Sequence, residues 1–315
     1  MVLLIYSVYE VKVMNIITVT LNPAIDVHVS EDENGTRKTE RHSGGKGINV
    51  SRTLTCFGVE SLCYTVVGEE NKDSFLLPLT NLNIMYDVVK GKVRENVHYH
   101  LKSGEHVVTG EGTCITDKDM KAIKERLLSE IKDNTVLVFS GSIPPSVAKE
   151  DVVTLLLDIK ARGARIILDT RSLDTIDISR IHPYLIKPNY DEMLNLVGER
   201  DTGKGGLEIL KKMGHDMCEN IVLTLGKDGA MLYDGREVHV ATFPELSAIS
   251  TTGAGDSVIA GILYDMYLGR DLADSFITGV AFGSASCLTN GTLPPLCDDV
   301  YDIKEKITIS RIPLA

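Results

Sequence analysis

Short β-branched runs alternate with amphipathic stretches along most of this chain, the pattern of a parallel sheet flanked by helices. The apolar runs predict strands over residues 16–20, 62–67, 136–139, 165–168, 184–186 and 221–225. Helices are expected over 48–57, 117–131, 149–161, 191–196, 204–213, 254–268 and 272–288. Asp117 before one periodic run and Gly269 after another are ordinary cap signals. Two regions, 21–43 and 85–114, break this rhythm. In the second, Val97, Tyr99 and Leu101 alternate with His98, His100 and Lys102, the period of a half-exposed antiparallel strand. Both regions are expected to form a small β-structure standing off the main sheet as a lid.

No repeat, low-complexity tract or linker divides the chain, so residues 14–315 read as a single domain. The first 13 residues, MVLLIYSVYEVKV, lack a basic start and a cleavage site, and Glu10 and Lys12 interrupt them short of the ~20 apolar residues of a spanning helix. They are expected to be either an extension preceding a start at Met14 or an edge strand or tail of the domain, and no membrane partner is expected. With 315 residues, 43% hydrophobic and 24% charged, the chain can bury a sizeable core. Its 33 basic against 44 acidic residues give a net charge of -11, which disfavours nucleic acid, since that recognition needs Lys and Arg on phosphates. Six cysteines without a C-x-x-C pair are expected to be reduced and mostly buried, as in a cytoplasmic protein.

Candidate chemistry collects where strands end, because an open α/β sheet binds ligands beyond its carboxyl edge. Segment 251–261 carries Thr252, Gly253, Ala254 and Gly255 as a glycine turn opening into a helix. Free N–H groups at such a start, and the helix dipole, make an anion cradle. Asp256, in that first turn, is either a dipole-complementing acid or a general base beside the anion. A second glycine cluster, Ser43-Gly44-Gly45-Lys46-Gly47, also precedes a helix, with Lys46 and Asn49 adding a cation and an amide. Asn189 and Glu192, three apart at a strand-to-helix junction, form either a helix cap or oxygen ligands for Mg²⁺.

Other patterns fail. GERDTGKG (198–205) nearly matches a phosphate-binding loop but ends in Gly205 where a magnesium-binding hydroxyl belongs, and no strand precedes it. It reads as a loop between two helices. There is no G-x-G-x-x-G after a strand and no G-x-S-x-G elbow. His98 and His100 read as a solvated strand face rather than a metal site.

Seven motifs stand in register: TLNPAID (20–26), SGGKGIN (43–49), VRENVHYH (93–100), SGSIPPS (140–146), KPNYDE (187–192), TLGKDGA (224–230) and STTGAGDS (250–257). Together they resemble the ribokinase-like (PfkB-type) carbohydrate kinases, in the branch of 1-phosphofructokinase and tagatose-6-phosphate kinase, from Met14 to about Pro295. The resemblance implies a three-layer αβα sandwich with a mostly parallel central sheet and a small β lid. It implies ATP- and Mg²⁺-dependent phosphorylation of a ketohexose phosphate, foremost fructose 1-phosphate, with tagatose 6-phosphate or fructose 6-phosphate as alternatives. A non-catalytic sugar-phosphate or nucleotide sensor is disfavoured by the intact acid and glycine turn.

By the same resemblance, Asp256 is the base and Gly253, Ala254 and Gly255 stabilise the transferred group. Asp26, Gly45 and Asn49 bind sugar hydroxyls, with Gly44 and Ser140 also at the substrate. Lys46 and Arg94 hold the sugar's phosphate, Arg94 reaching in from the lid. Thr224, Gly226, Lys227 and Gly229 form a nucleotide loop, with Ser284 near adenine. Lys187 and Asn189 meet the ATP phosphates, and Asn189 and Glu192 organise Mg²⁺. Two segments depart from the family pattern: GEENKDSF (68–75) lacks a second glycine, and GEHVVTGEG (104–112) fits the lid loosely. Open strand edges on a lid make a homodimer through it an expectation.

Overall fold

The protein is described by a computed structural model over residues 14–31, 36–101, 104–199, 205–213 and 216–314. The expected extension, residues 1–13, lies outside the described residues. The chain opens with β1 (Asn15–Thr20), then leaves the sheet for β2 (Ala24–Glu31) and β3 (Arg37–Gly44), and returns through helix α1 (Lys46–Cys56) to β4 (Leu62–Gly68). A short α2 (Lys72–Leu76) and β5 (Ile84–Val89) follow, and then a second excursion, β6 (Arg94–Leu101) and β7 (Gly104–Thr109). From α3 (Asp117–Glu130) onward strands and helices alternate: β8 (Thr135–Ser140), α4 (Lys149–Ala161), β9 (Arg165–Asp169), α5 (Thr175–Ile181), β10 (Leu185–Ile186), α6 (Tyr190–Val197), α7 (Gly205–Met213) and β11 (Asn220–Thr224). The chain ends with hairpin β12 (Ala230–Tyr233) and β13 (Glu237–Thr242), helices α8 (Ala254–Tyr267), α9 (Leu272–Ser286) and α10 (Cys297–Lys304), and β14 (Thr308–Pro313).

The main sheet has ten strands in the order β14-β13-β12-β11-β10-β9-β8-β1-β4-β5. From β5 to β11 neighbours run parallel, and β12 to β14 add an antiparallel edge. Both faces are buried, which is why these strands read as continuous apolar runs. Along β8, Leu137 and Phe139 face the core shared with α3 to α7, while Val136 and Val138 face the one shared with α1, α8 and α9. That makes the three layers.

The lid is a separate four-stranded sheet, β3-β2-β6-β7. Ile25 and Val27 from it pack with Ile48, Phe75 and Val93 in a third apolar cluster. Residues 84–89, partly assigned to the lid from sequence, instead form β5, paired parallel to β4 at the edge of the main sheet. The pattern misled because an edge strand of a sandwich is half-exposed and alternates like a lid strand. The cysteines also differ from expectation: Cys63 and Cys218 are buried, Cys287 is intermediate, and Cys56, Cys114 and Cys297 are exposed. Among the described residues no helix is long and apolar enough to cross a membrane.

Candidate active site

The chain order reverses direction across the sheet at β1, which pairs with β4 on one side and β8 on the other. Such a switch point leaves a crevice at the carboxyl ends of the strands. Here it is a cavity of ≈ 1150 Å³ running from the lid, at Asp26, Arg94 and Asn96, to Gly226 in the loop between β11 and β12 and Ser284 on α9. Two glycine-led helix starts open into it. Helix α1 begins after Gly45 (φ 148) and α8 after Gly253 (φ 81), and no side chain caps either. Helices α3, α5, α6 and α9, by contrast, start on capping Thr116, Asp174, Asn189 and Asp271 side chains. Helices α2, α4 and α10 also lack a side-chain cap, but the starts of α1 and α8 border the cavity, where free N–H groups can meet an anion.

Asp256, 5% exposed, stands in the first turn of α8. Its Oδ2 accepts from Asn49 Nδ2 at 2.8 Å. Burial pushes its carboxyl up and the Asp169 carboxylate pushes it further, against the Asn49 amide, Lys46 and Lys187, which leaves it at about 7. A carboxyl poised there is suited to take a proton near neutral pH. Asp169, at the end of β9, is fully enclosed, yet it stays below the ordinary carboxylate range. Burial alone would raise it, but Lys187 and Lys46 outweigh that cost. Lys46 Nζ sits 2.9 Å and Lys187 Nζ 3.5 Å from Asp169 Oδ1, while Asp169 Oδ2 is buried without a partner. Lys187 Nζ also lies against the glycine turn: a Cβ on Gly255 would come within 2.8 Å of it.

Most anticipated residues share this cavity: Asp26, Gly45, Lys46, Asn49, Arg94, Lys187, Asn189, Glu192, Thr224, Gly226, Lys227, Gly229, Gly253 to Asp256 and Ser284. Gly44 and Ser140 do not line it. Gly44 lies behind, where a Cβ would meet Asn49 Oδ1 at 3.4 Å. Ser140 is buried beneath Gly47 with an unpartnered hydroxyl, and its neighbours Gly141 and Ser142 face the cavity instead. Lys46 meets Asp169, with Glu192 Oε1 at 3.9 Å, rather than the lid. Arg94 reaches in from β6, its charge disfavoured by burial and supported by Asp26, with its Nε buried and unpartnered. Asn96, two residues on, donates to Asp26 Oδ1 at 2.9 Å.

Asn189 and Glu192 form a reciprocal cap on α6. Asn189 Oδ1 accepts from Glu192 N at 2.8 Å, and Glu192 Oε2 accepts from Asn189 N at 2.9 Å. Glu192 Oε1 takes Arg171 Nε at 2.6 Å. His98 stacks on His28 at 4.8 Å with its Nε2 3.7 Å from Asp26, and the His100 side chain lies outside the described residues. The sequence patterns assign no role to Asp169 or Asn96. Asp169 is visible as an acid ending a strand, but nothing in its own segment announces two lysines brought from 123 and 18 residues away.

A lid over a three-layer sandwich, with a buried acid at an uncapped helix start, is the architecture of a sugar kinase. The chain belongs to the pfkB family of carbohydrate kinases, whose family model matches residues 12–298, and is a phosphotransferase. It is 32% identical to the 1-phosphofructokinase of Borreliella burgdorferi over 307 residues, covering 94% of this chain and 98% of that one. Identity to the 1-phosphofructokinase of Bacillus subtilis is 33% over 285 residues, covering 87% and 93%. The tagatose-6-phosphate kinase of Staphylococcus epidermidis is 28% identical over 315 residues, covering 94% and 100%. Among solved structures, Escherichia coli phosphofructokinase-2 with substrates and products aligns with a TM-score of 0.81 at 26% identity, covering 93% of this chain and 99% of that chain. The same enzyme's tetrameric inhibited form aligns at 0.79 and 25%, covering 93% and 98%.

Proposed function

We propose that this chain transfers the γ-phosphoryl group of ATP to the free terminal hydroxyl of fructose 1-phosphate, giving fructose 1,6-bisphosphate and ADP. The observation that carries the reading is the buried Asp256 carboxyl, raised to about 7, beside the uncapped Gly253–Gly255 turn in the same cavity as Asp26 and Arg94. Asp256 takes the hydroxyl proton as the oxygen attacks phosphorus. The turn and Lys187 meet the charge that spreads over the transferred group, since positioning and electrostatics do most of the work in phosphoryl transfer. Asp26, Gly45 and Asn49 orient the sugar. The unpartnered Nε of Arg94 fits a phosphate on it, so the cation at the lid favours a sugar phosphate over a neutral sugar.

Thr224, Gly226, Lys227, Gly229 and Ser284 border the far end of the cavity, where ATP fits. Mg²⁺ fits beside Lys187 on the buried, unpartnered Asp169 Oδ2 and on Glu192, with Asn189 orienting Glu192 through the cap. When bound, such a cation neutralises phosphate charge. Tagatose 6-phosphate is the second substrate to test, because the S. epidermidis kinase aligns over 94% of this chain. Edge strands β3 and β7 leave the lid open to pairing with a second copy.

The deciding experiment is coupled ADP release with fructose 1-phosphate, fructose 6-phosphate, tagatose 6-phosphate, fructose and ribose. A kcat/KM highest for fructose 1-phosphate is expected. Measurable ligand binding without ADP release from any of them would overturn the catalytic reading.

A further inference from the structure

The Asn49 amide touches charge at both ends. Its Nδ2 donates to Asp256 Oδ2 at 2.8 Å, and its Oδ1 accepts from Arg52 Nη1 at 3.1 Å. Asn49 and Arg52 are three apart on α1, so one helix face carries both side chains. Arg52 is itself anchored, because its Nη2 donates to the Ser43 carbonyl at 2.6 Å, where β3 runs into the glycine cluster. A guanidinium can only donate, and a carboxylate can only accept. Turning the amide over would set Nδ2 against the guanidinium and Oδ1 against the carboxylate, losing two charge-assisted bonds at once.

We infer that Arg52 is a positioning residue that locks the Asn49 amide with its N–H toward Asp256, so that Asn49 stabilises the carboxylate form of the base. Without the lock, a protonated Asp256 offers an O–H, and a free amide turns to accept it with Oδ1. The acid form then gains the partner that the carboxylate has lost, and the carboxyl titrates higher. Arg52 forbids that rotation. The other charged groups facing Asp256 are Asp169, at the end of β9, which raises it, and Lys187, after β10, and Lys46, on the first turn of α1, which lower it. Around Arg52 itself the ionisable neighbours are Cys56, Cys63 and Asp256, and burial disfavours its own charge. The inference rests on Asp256 as base only for its kinetic consequence; the effect on the carboxyl stands by itself.

The test is Arg52→Met, with Arg52→Lys as the conservative variant, read by the titration of Asp256 (carboxyl ¹³C shift in the unliganded protein) and by the pH profile of kcat/KM. Losing one charge-assisted donation, Asp256 in Arg52→Met is expected to titrate about one pH unit higher, which leaves about tenfold less ionised base below pH 6. Activity should therefore fall about tenfold there and stay within about threefold of the parent at pH 9. The Arg52→Lys variant keeps the charge and the N–H donors on one nitrogen in place of a two-nitrogen fork, and should recover part of the shift. A rate loss equal at every pH, with Asp256 titrating as in the parent, would overturn the inference and reduce Arg52 to a brace for the Ser43 carbonyl. A shifted titration with an unshifted kinetic profile would instead uphold the lock and remove Asp256 as base. Should Arg52→Met fold poorly, Asn49→Ser supplies the second measurement. It removes the amide, so the titration of Asp256 should rise in Asn49→Ser and gain nothing further when Arg52→Lys is added, whereas independent, additive shifts would refute the coupling.

Discussion

Asp256→Asn separates the chemical role of this residue from its energetic cost. Folding moves the Asp256 carboxyl from an ordinary 3.8 to about 7. Between these values the unfolded chain has released a proton that the native protein keeps, so the native state loses stability as pH rises through the window. The loss begins near pH 4, grows by about 1.4 kcal/mol per pH unit, and levels off above pH 7 at about 4 kcal/mol, three units at 1.36 each. Asparagine keeps the shape and can still accept from Asn49 Nδ2, but it has no charge to bury. Relative to the parent, Asp256→Asn should therefore gain stability steadily from pH 5 to 7 and hold the gain at pH 8. Its turnover should meanwhile fall by about 10²- to 10⁴-fold, the usual contribution of a positioned base. Urea unfolding at pH 5.5, 6.5 and 8, beside ADP release at each pH, measures both. In the parent, kcat/KM should rise through about pH 7 as the carboxylate forms. A stability difference that is flat with pH would refute the burial argument, and turnover within tenfold of the parent would refute the base assignment.

Arg94→Ala should raise KM for the sugar phosphate at least tenfold with a smaller change in kcat, because it removes a ground-state cation from the lid; initial rates against substrate concentration decide it. Gly255→Ala places a Cβ 2.8 Å from Lys187 Nζ, the far end of a flexible chain, so the fold should persist while kcat drops by about tenfold or more through the displaced ammonium. Gly229→Ala faces a rigid obstacle: the Cβ would lie 2.1 Å from the Ala241 carbonyl oxygen, at a φ of 101. It should cost about 2 kcal/mol or more, read as a lowered unfolding midpoint.

The two ends of this cavity were unequally legible. The glycine turn with Asp256 could be read because its chemistry is local: five consecutive residues supply the turn, the helix start and the acid. The cap between Asn189 and Glu192 was equally local, and the ordinary reading of that spacing, a helix cap, is the geometry present. Lys46 shows the opposite case. Its motif points to the sugar's phosphate, yet it lies on Asp169, a partner 123 residues away that only the pairing of β8 with β9 and the placing of α1 bring within reach. Residues 85–89 of the region expected as lid belong to β5 instead, because alternation reports half-exposure and not the sheet to which a strand belongs.

What the sequence determined by itself is the repertoire. Apolar runs long enough for strands but not for membrane spans, amphipathic stretches between them, glycines at two helix starts and an acid beside one of them are properties of neighbouring residues, set by backbone sterics and burial. Only the tertiary structure decided which of these act together. The Asp256 carboxyl is raised to about 7, as the proposed base requires, because burial and Asp169 disfavour its charge while Asn49, arriving from α1 and bonded to Arg52, still favours it. Such a balance depends on separations of a few ångströms between residues up to 207 positions apart. Coulomb and desolvation energies are fixed by those distances, and distance in space is what a linear pattern does not carry.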